Sequence, residues 1–447
     1  MKLRYLGTFA AGMILVAACG GPGATTRPST ATAVPATAVP ATAVPATVAP
    51  PTQGGSGITE VKIGVDLPLS GNEVANGGPT LNGVLLAIKE WNDNSMGHAY
   101  TVGTNVQDDA LNGKHDPLTG AANAATLVAD AQVVGMVGAF NSNVTRAIIP
   151  VTNEAGLAQC SATNTGTDLT KDGSDAYRYQ GQDERNFFRL ATPDDVQGPA
   201  GGQYTYNDLG ARAALVIDDT EAFGVGVANT FSDEFEALGG TIVQRVGNDF
   251  AANQSFTAIL TAAGTDFDVV YFGGTQVTGG GQLRKDMGAA GLLAIPFVGP
   301  DGTTDLGAGG AVGTMITLAG VENSDDVHGT VAGIHDIPDP DAFADAYGAE
   351  YQGAEPGAYS ALAYACTQVL LQAVDASIGS AADLAALREA VRVSVFAGDP
   401  FETVVGTINF DPNGDSSQKF ISFYKTDVTL NDGKGGWVFV RQQDFAE

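Results

Sequence analysis

The sequence predicts an α/β protein with parallel sheets, and three observations carry that prediction. From residue 58 onward, apolar runs of strand length alternate with amphipathic stretches of helix length. Two of those runs, Val133–Gly138 and Gly156–Cys160, are followed by small, polar, loop-forming residues: Ala139-Phe140-Asn141-Ser142-Asn143 and Ser161-Ala162-Thr163-Asn164. They lie about 20 residues apart with a helix-like segment (Thr145 to Ala155) between, the spacing of adjacent parallel strands joined by a crossover helix. Finally, 447 residues at 44% hydrophobic and only 16% charged supply apolar material for more than one core. In an open α/β sheet, ligands bind beyond the carboxyl ends of strands. Both loop segments therefore become candidates for gripping an anionic group such as a carboxylate.

Charge and cysteine usage exclude several classes. The formal net charge is −29. Residues 1–57 contain no acidic residue and three basic ones (Lys2, Arg4 and Arg27), so all 50 acidic residues lie in the globular part. Such a surface repels phosphate backbones, and no nucleic-acid partner is expected. The three cysteines (Cys19, Cys160, Cys366) and four histidines (His98, His115, His328, His335) share no metal-ligand spacing, so neither a metal nor a cofactor is expected. Cys160 ends a strand and Cys366 lies in an apolar helix. Nothing in the sequence places their Cα atoms within bridging range, and the reading favours two separate buried thiols.

The chain opens with Met1-Lys2-Leu3-Arg4, a basic segment, then an apolar run from Leu6 to Ala18 that is short for a membrane span. It ends Val16-Ala17-Ala18-Cys19, which resembles a bacterial lipobox; the alternative is an ordinary secretory signal with an incidental cysteine. Residues 1–19 are read as a lipoprotein signal with Cys19 lipidated, anchoring an extracytoplasmic protein to the membrane. Residues 20–57 are a tether. Ala-Thr-Ala-Val-Pro occurs three times in tandem from Ala31 to Pro45, and regular proline favours extended polyproline II over helix or sheet. A semi-rigid stalk is preferred to a binding repeat.

The globular part begins with a strand at Val61–Val65, a turn at Asp66–Gly71, and a helix from Pro79 to Trp91 with apolar residues at Leu81, Val84, Leu85 and Ile88. A strand over Tyr100–Val106 follows, then a helix over Pro117–Ala129 opened by Asp116-Pro117. Asp108 and Asp109 are read as fixing a strand-end turn. After the two strands described above, Thr170–Asp175 is a turn cluster and Tyr177–Leu190 a crossing strand. A second alternating set then predicts helices at Gln197–Leu209, Gly224–Leu238, Phe256–Ala263 and Gly281–Ala290, with strands at Ala213–Ile217, Thr241–Arg245, Asp268–Phe272 and Ile295–Gly299. A strand from Val331 leads to helices at Asp341–Tyr351, Tyr359–Ser377 and Leu384–Val393. The tail reads as a hairpin of Ile408–Phe410 and Phe420–Tyr424 around Asp411-Pro412-Asn413-Gly414-Asp415, a β-turn rather than a calcium loop.

Several strings, in order, resemble the branched-chain amino-acid receptors of ABC importers, periplasmic binding proteins of type I fold. They are Ile63-Gly64-Val65 with Pro68-Leu69-Ser70-Gly71; Asp108-Asp109 with Asp116-Pro117; Val137-Gly138 with Asn141-Ser142; Ser161-Ala162-Thr163-Asn164 with Leu169-Thr170; Gln197-Gly198; Tyr271-Phe272-Gly273-Gly274; Gly299-Pro300-Asp301-Gly302; and Pro356-Gly357-Ala358-Tyr359-Ser360-Ala361. The resemblance implies two Rossmann-like lobes with parallel central sheets, joined by three hinge crossovers. Residues 58–185 and 333–412 would form the first lobe, and 186–332 the second, completed by a C-terminal hairpin over 413–447. It implies a monomeric receptor that captures a small amino acid and delivers it to permease and ATPase subunits, without being an enzyme.

By the same resemblance, Ser142 and Thr163 would donate hydroxyl and backbone N–H bonds to a ligand carboxylate, with Ala162 between Ser161 and Thr163 in the loop. The Ser161 carbonyl would accept from an ammonium, and Asp301 would supply its counter-charge. Phe223, Thr275 and Asn76 stand where the family commonly has aromatic residues, which leaves room for a more polar ligand such as an amide or a small carboxylate. Core packing competes for Phe223, and a simple turn competes for Asp301. Asp194 and Gln197 are expected at the lobe junction. Two other classes remain open, a sensor of the same fold with a separate membrane partner and an enzyme; no Ser/His/Asp, HExxH or phosphate-loop pattern supports the latter.

Overall fold

The computed structural model describes residues 57–94, 98–171, 173–177, 184–306 and 314–446. The signal segment, Cys19 and the Ala-Thr-Ala-Val-Pro tether lie outside the described residues.

The first sheet has five parallel strands. In chain order its elements are β1 (Glu60–Leu67), α1 (Val74–Asp93), β2 (Thr101–Asp108), α2 (Pro117–Ala129), β3 (Val133–Gly138), α3 (Ser142–Glu154), β4 (Ala158–Ser161) and β5 (Phe187–Arg189). They assemble in the order β2-β1-β3-β4-β5, with Gly64 level with Asn105 on one side and Met136 on the other. Near-continuous apolar runs form the central strands because helices cover both faces: Val61, Ile63, Val65 and all of Val133–Gly138 are buried. Asp116 starts α2 as expected, accepting from the Thr119 N–H at 2.7 Å with Pro117 in the first turn. Helix α1 begins at Val74 rather than Pro79, which lies inside it. Tertiary contacts hold that turn: the Pro79 carbonyl accepts from Ser360 Oγ at 2.8 Å and Tyr347 Oη at 3.3 Å.

The second sheet has seven strands. Its elements are α4 (Asp194–Gln203), β6 (Ala213–Asp218), α5 (Ala222–Ala237), β7 (Thr241–Gly247), α6 (Thr257–Ala263), β8 (Val269–Gly273), α7 (Gly281–Ala289), β9 (Phe297–Gly299), α8 (Thr314–Ala319) and β10 (Val327–Val331), completed by β13 (Phe420–Asp427) and β14 (Gly436–Asp444). The order is β14-β13-β10-β9-β8-β6-β7, and only β13 and β14 run antiparallel to their neighbours. Between β10 and β13 the chain returns to the first sheet as α9 (Pro340–Glu350), α10 (Ser360–Ile378), α11 (Leu384–Val395) and a small ribbon, β11 (Phe401–Thr403) with β12 (Gly406–Ile408). The chain thus crosses between the sheets three times.

Helix α10 is the spine of the first core. Ala363, Ala365, Cys366, Val369 and Leu370 are fully buried in it. Gly83 of α1 lets the two helices touch, since a Cβ there would lie 2.2 Å from the Ser360 carbonyl. The thiols expected to be separate are joined. Cys160 at the end of β4 and Cys366 in α10 form a disulfide with Cα atoms 5.8 Å apart, because α10 lies directly on that strand although the cysteines are 206 positions apart.

Four further expectations are corrected. The first sheet takes in Phe187–Arg189, so the first crossing falls after Arg189 and not at 185/186. Of the crossing strand read over Tyr177–Leu190, only this piece is a strand among the described residues. The tail hairpin pairs β13 with β14, not Phe420–Tyr424 with Ile408–Phe410. The latter segment is drawn toward the ribbon and the crossing, and a single bridge joins Phe410 to Ser416. The strand at Val331 ends there instead of starting there.

The crossings lie side by side. Arg189 N–H donates to the Gly414 carbonyl at 2.9 Å, Ser416 N–H to the Arg189 carbonyl at 3.2 Å, and Thr192 N–H to the Ala332 carbonyl at 3.1 Å. Asp411 makes the expected turn, accepting from the N–H groups of Asn413 and Asp415 at 2.8 and 3.0 Å. Replacing both Cys160 and Cys366 with alanine is expected to cost about 2–5 kcal/mol of unfolding free energy, as for loss of a native cross-link closing a long loop. Urea denaturation of the oxidised protein and the double variant measures it, and coincident curves would refute the cross-link's contribution.

Candidate functional site

The carboxyl ends of strands from both sheets face one cleft of about 390 Å³, counted with its open mouth. From the first lobe come Phe140, Asn141, Ser142 and Asn143 after β3, and Thr163 and Thr165 after β4; from the second come Glu221 and Phe223 before and in α5, Thr275 after β8, and Asp301 and Gly302 after β9. An adjoining recess adds Glu73, Asn76, Gln276 and Tyr359 beside Thr275 and Asp301. Ser142, Thr163, Phe223, Thr275 and Asp301 are therefore brought to one cleft, with Asn76 at its extension. Ser161, Ala162 and Asp194 are buried behind the wall.

The first-lobe wall is built around the start of α3. Ser142 and Asn143 open this helix, so their N–H groups have no carbonyl one turn back and carry the positive end of the helix dipole. Ser142 Oγ accepts from the Gly166 N–H at 3.2 Å, which leaves its own hydrogen to donate. Thr163 is differently committed. Its hydroxyl donates to the Phe140 carbonyl at 2.7 Å and its N–H to Ser161 Oγ at 3.3 Å. In this arrangement its oxygen serves as an acceptor, whereas the resemblance implied a donor to a carboxylate. The Ser161 carbonyl accepts from the Leu190 N–H at 3.0 Å, because Ser161 closes the pairing of β4 with β5. It is a sheet carbonyl already in use, not one opened toward an ammonium.

The second-lobe wall centres on Asp301. Gln197 clamps it, donating from Nε2 to Oδ1 at 3.0 Å and accepting from the Asp301 N–H at 3.1 Å. Thr330 fixes Gln197 in turn, donating to its Oε1 at 2.9 Å. Tyr359, which precedes α10 in the first lobe, donates its hydroxyl to Asp301 Oδ2, so this carboxylate is held from both sides. Burial pushes Asp301 up to about 6 against those bonds. Behind it Asp194 is pushed up to about 8 by burial and by the charge of Asp301; its Oδ1 accepts from Gln197 at 3.1 Å. Asp301 thus presents the negative charge while Asp194 is kept neutral. Gly302 lets the Phe223 ring lie against this loop, since a Cβ there would sit 2.8 Å from the ring and 2.6 Å from the Gly274 carbonyl. Thr275 turns its hydroxyl to the start of the next turn, accepting from the Thr278 N–H at 3.1 Å.

Asp108 fixes the end of β2, accepting from the Leu69 and Ala110 N–H groups at 2.8 and 3.0 Å. Asp109 makes no such turn. It is buried and pushed up to about 8, by burial first and by neighbouring Asp66 second.

These features can be compared with known proteins. The profile of the periplasmic binding protein family matches residues 60–427. The chain belongs to that family. A "Leu/Ile/Val-binding protein homolog 1" of Brucella abortus is 29% identical over 396 residues, covering 86% of this chain and 95% of that protein. Among solved structures, the branched-chain amino acid transporter substrate-binding protein LivJ from Streptococcus pneumoniae, in complex with isoleucine, superposes with a TM-score of 0.68 at 24% identity, covering 86% of this chain and all (100%) of that one. A leucine-binding protein LivK from Thermotoga maritima gives a TM-score of 0.68 at 24% identity, covering 86% and 98%. The fold of this chain is that of the type I periplasmic binding proteins.

Sequence reasoning did not single out Tyr359, Glu221 or Thr165 as lining the cleft, and it placed Asn141 and Asn143 there only as members of the loop that follows β3. Tyr359 stood within a string that carried the resemblance, and Glu221 two positions before Phe223. Neither position is polar in a way that a single sequence marks as facing a cleft.

The buried acids set a pH dependence. In the folded protein Asp66 and Asp219 hold protons to about 7, and Asp109 and Asp194 to about 8, mainly through burial. The unfolded chain releases those protons near 3.8, so between these values the folded state binds more protons and stability falls as pH rises. His115 acts in the same direction at higher pH: burial lowers it, but bonds to Glu221 and Glu73 outweigh this and raise it to about 10 from 6.5. Calorimetric scans are expected to show a higher Tm at about pH 5 than at about pH 8.5; the reverse order would show that these carboxyls are ionised in the fold.

Proposed function

We propose that this protein is an extracytoplasmic receptor that captures a small amino acid of the branched-chain kind between its lobes and delivers it to the permease and ATPase of an ABC importer. The observation that carries this reading is the pairing of opposite charges on opposite walls: the opening of α3 in the first lobe and Asp301 in the second. A free amino acid carries one carboxylate and one ammonium, and both must exchange hydration for fixed partners. The Ser142 hydroxyl and the N–H groups of Ser142 and Asn143 take the carboxylate. Asp301 and the Thr163 hydroxyl oxygen take the ammonium. Phe223 and Thr275 line the space left for the side chain, with Asn76 at its far end, and Asp194 and Gln197 set the position of Asp301. Because a ligand touches both walls, it favours the closed arrangement over an open one, and the three crossings are where the lobes hinge. Lipidation of Cys19 would hold the receptor at the membrane through its Thr/Ala/Pro-rich tether, and a monomer suffices for capture.

The polar contributions of Asn76 and Thr275 favour a second reading, in which the ligand is an amide or a small carboxylate presented to the same α3 terminus, for uptake or for sensing. A thermal-shift screen against amino acids, amides and short carboxylates separates the two, because a ligand that binds only the folded state raises its Tm. For the amino-acid reading, Asp301→Ala is expected to weaken binding at least about tenfold in calorimetry while shifting Tm far less, since it removes one partner of a desolvated charge pair. Unchanged affinity would refute the role of Asp301. Affinity is also expected to decline as pH drops below about 6, where Asp301 takes up a proton and can no longer answer an ammonium; a small carboxylate would show no such loss.

A further inference from the structure

Glu221 lines the same cleft as Ser142, Phe223 and Asp301, yet its carboxylate is answered entirely from the opposite lobe. Lys114 Nζ is bonded to Oε1, and His115 Nε2 lies 3.0 Å and Asn143 Nδ2 3.2 Å from Oε2. The other ring nitrogen of His115 lies 2.8 and 2.9 Å from the two oxygens of Glu73, which borders the adjoining recess. His115 is 1% exposed and therefore depends on these partners, whereas Lys114 caps the group from the surface at 45%. Two carboxylates thus face two cations. Burial would raise Glu221, but the His115 and Lys114 bonds outweigh it and hold the carboxylate at about 2, so it stays ionised. Of the acids packed nearest, burial raises Asp109 to about 8, so it stays largely neutral at pH 7, and Asp219 to about 7, so it carries only part of a charge there.

This part of the wall is polar and electrically balanced. The zwitterionic end of an amino acid is already matched by α3 and Asp301. A charged side chain entering beside Glu221 would lose its hydration without gaining an unshared counter-charge, which is costly. We propose that Glu221 is a specificity-determining residue: with Lys114 and His115 covering its charge, the cleft selects an amino acid with an uncharged side chain, and loss of that cover admits cationic side chains. This rests on the amino-acid reading above. The device works by exclusion, since discrimination comes from what the wall denies to the wrong ligand.

The test is calorimetric titration of the wild type, Lys114→Gln, and the double variant Lys114→Gln/Glu221→Gln with leucine, glutamine, lysine and glutamate. Lys114 is half exposed, so its replacement leaves the fold intact, and thermal melting checks this. The wild type is expected to bind leucine or glutamine and to reject lysine and glutamate. In Lys114→Gln the lysine-to-neutral affinity ratio is expected to rise by roughly tenfold or more, as for one uncovered, partly desolvated charge, and the double variant is expected to lose that gain. A wild type that binds lysine as well as leucine, or a ratio unchanged in Lys114→Gln, overturns the role of Glu221 while leaving the amino-acid reading standing. A wild type that binds none of the amino acids overturns both.

Discussion

The arrangement depends on one buried ion pair at the crossings. Arg189, fully buried at the end of β5, donates from Nε to Asp415 Oδ1 at 2.7 Å and from Nη2 to Thr170 Oγ1 at 2.6 Å. Its Nη1 reaches the carbonyls of Asn164 and Gly166 at 3.2 and 2.7 Å. One guanidinium therefore ties the first crossing to the third and also holds the loop that carries Thr163 and Thr165 to the cleft. Burial alone would raise Asp415, but the Arg189 charge overrides it and brings the carboxyl down to about 2. Such a pair gains little over an apolar packing of the same shape, but loss of one partner strands a charge in the interior at a cost of about 3–5 kcal/mol. It fixes geometry more than it adds stability, and geometry is what a two-walled cleft requires.

Charge is distributed in the cleft by the same logic. Five acidic side chains, Glu73, Asp194, Asp219, Glu221 and Asp301, lie in or directly behind the walls. Ionised together they would repel one another and any carboxylate ligand. Burial keeps Asp194 largely neutral and Asp219 partly so, and His115 and Lys114 offset Glu73 and Glu221. What remains is Asp301, clamped by Gln197 and touched by Tyr359 from the far lobe. A strongly acidic protein can in this way present a single directed negative charge.

Much of the fold was legible because local signals and tertiary structure agree. Helix α2 follows its reading from Pro117 to Ala129 to the residue, since Asp116 and Pro117 specify its start. The central strands were visible as apolar runs because both of their faces are covered. Strand β14 was not. It is an edge strand, mostly half exposed, whose apolar run Trp437-Val438-Phe439-Val440 gives way to Arg441, Gln442 and Gln443, so the apolar signal covers only half of the strand. In the site, Ser142 and Asp301 could be placed because each falls in a string that carried the family resemblance, just beyond a recognisable strand, and Phe223 because it stands where the family commonly has an aromatic residue. The Lys114–Glu221 contact joins positions 107 apart across two lobes, and the Cys160–Cys366 bond positions 206 apart; no periodicity encodes either. The roles of Thr163 and Ser161 changed because hydrogen-bond commitments are set by neighbours that the sequence does not order in space.

The first lobe is assembled from two distant stretches of chain, and this has a consequence for its biosynthesis. The apolar face of β1, β3 and β4 is covered by α10 and α11, which are translated only after the whole of the second sheet's parallel portion. A nascent chain that ends before Ser360 has strands but no spine to cover them, and the partner of Cys160 does not yet exist. The amino-terminal half is thereby kept from completing a stable domain until nearly the entire polypeptide is available, so the segment made first is among the last to become resistant to unfolding.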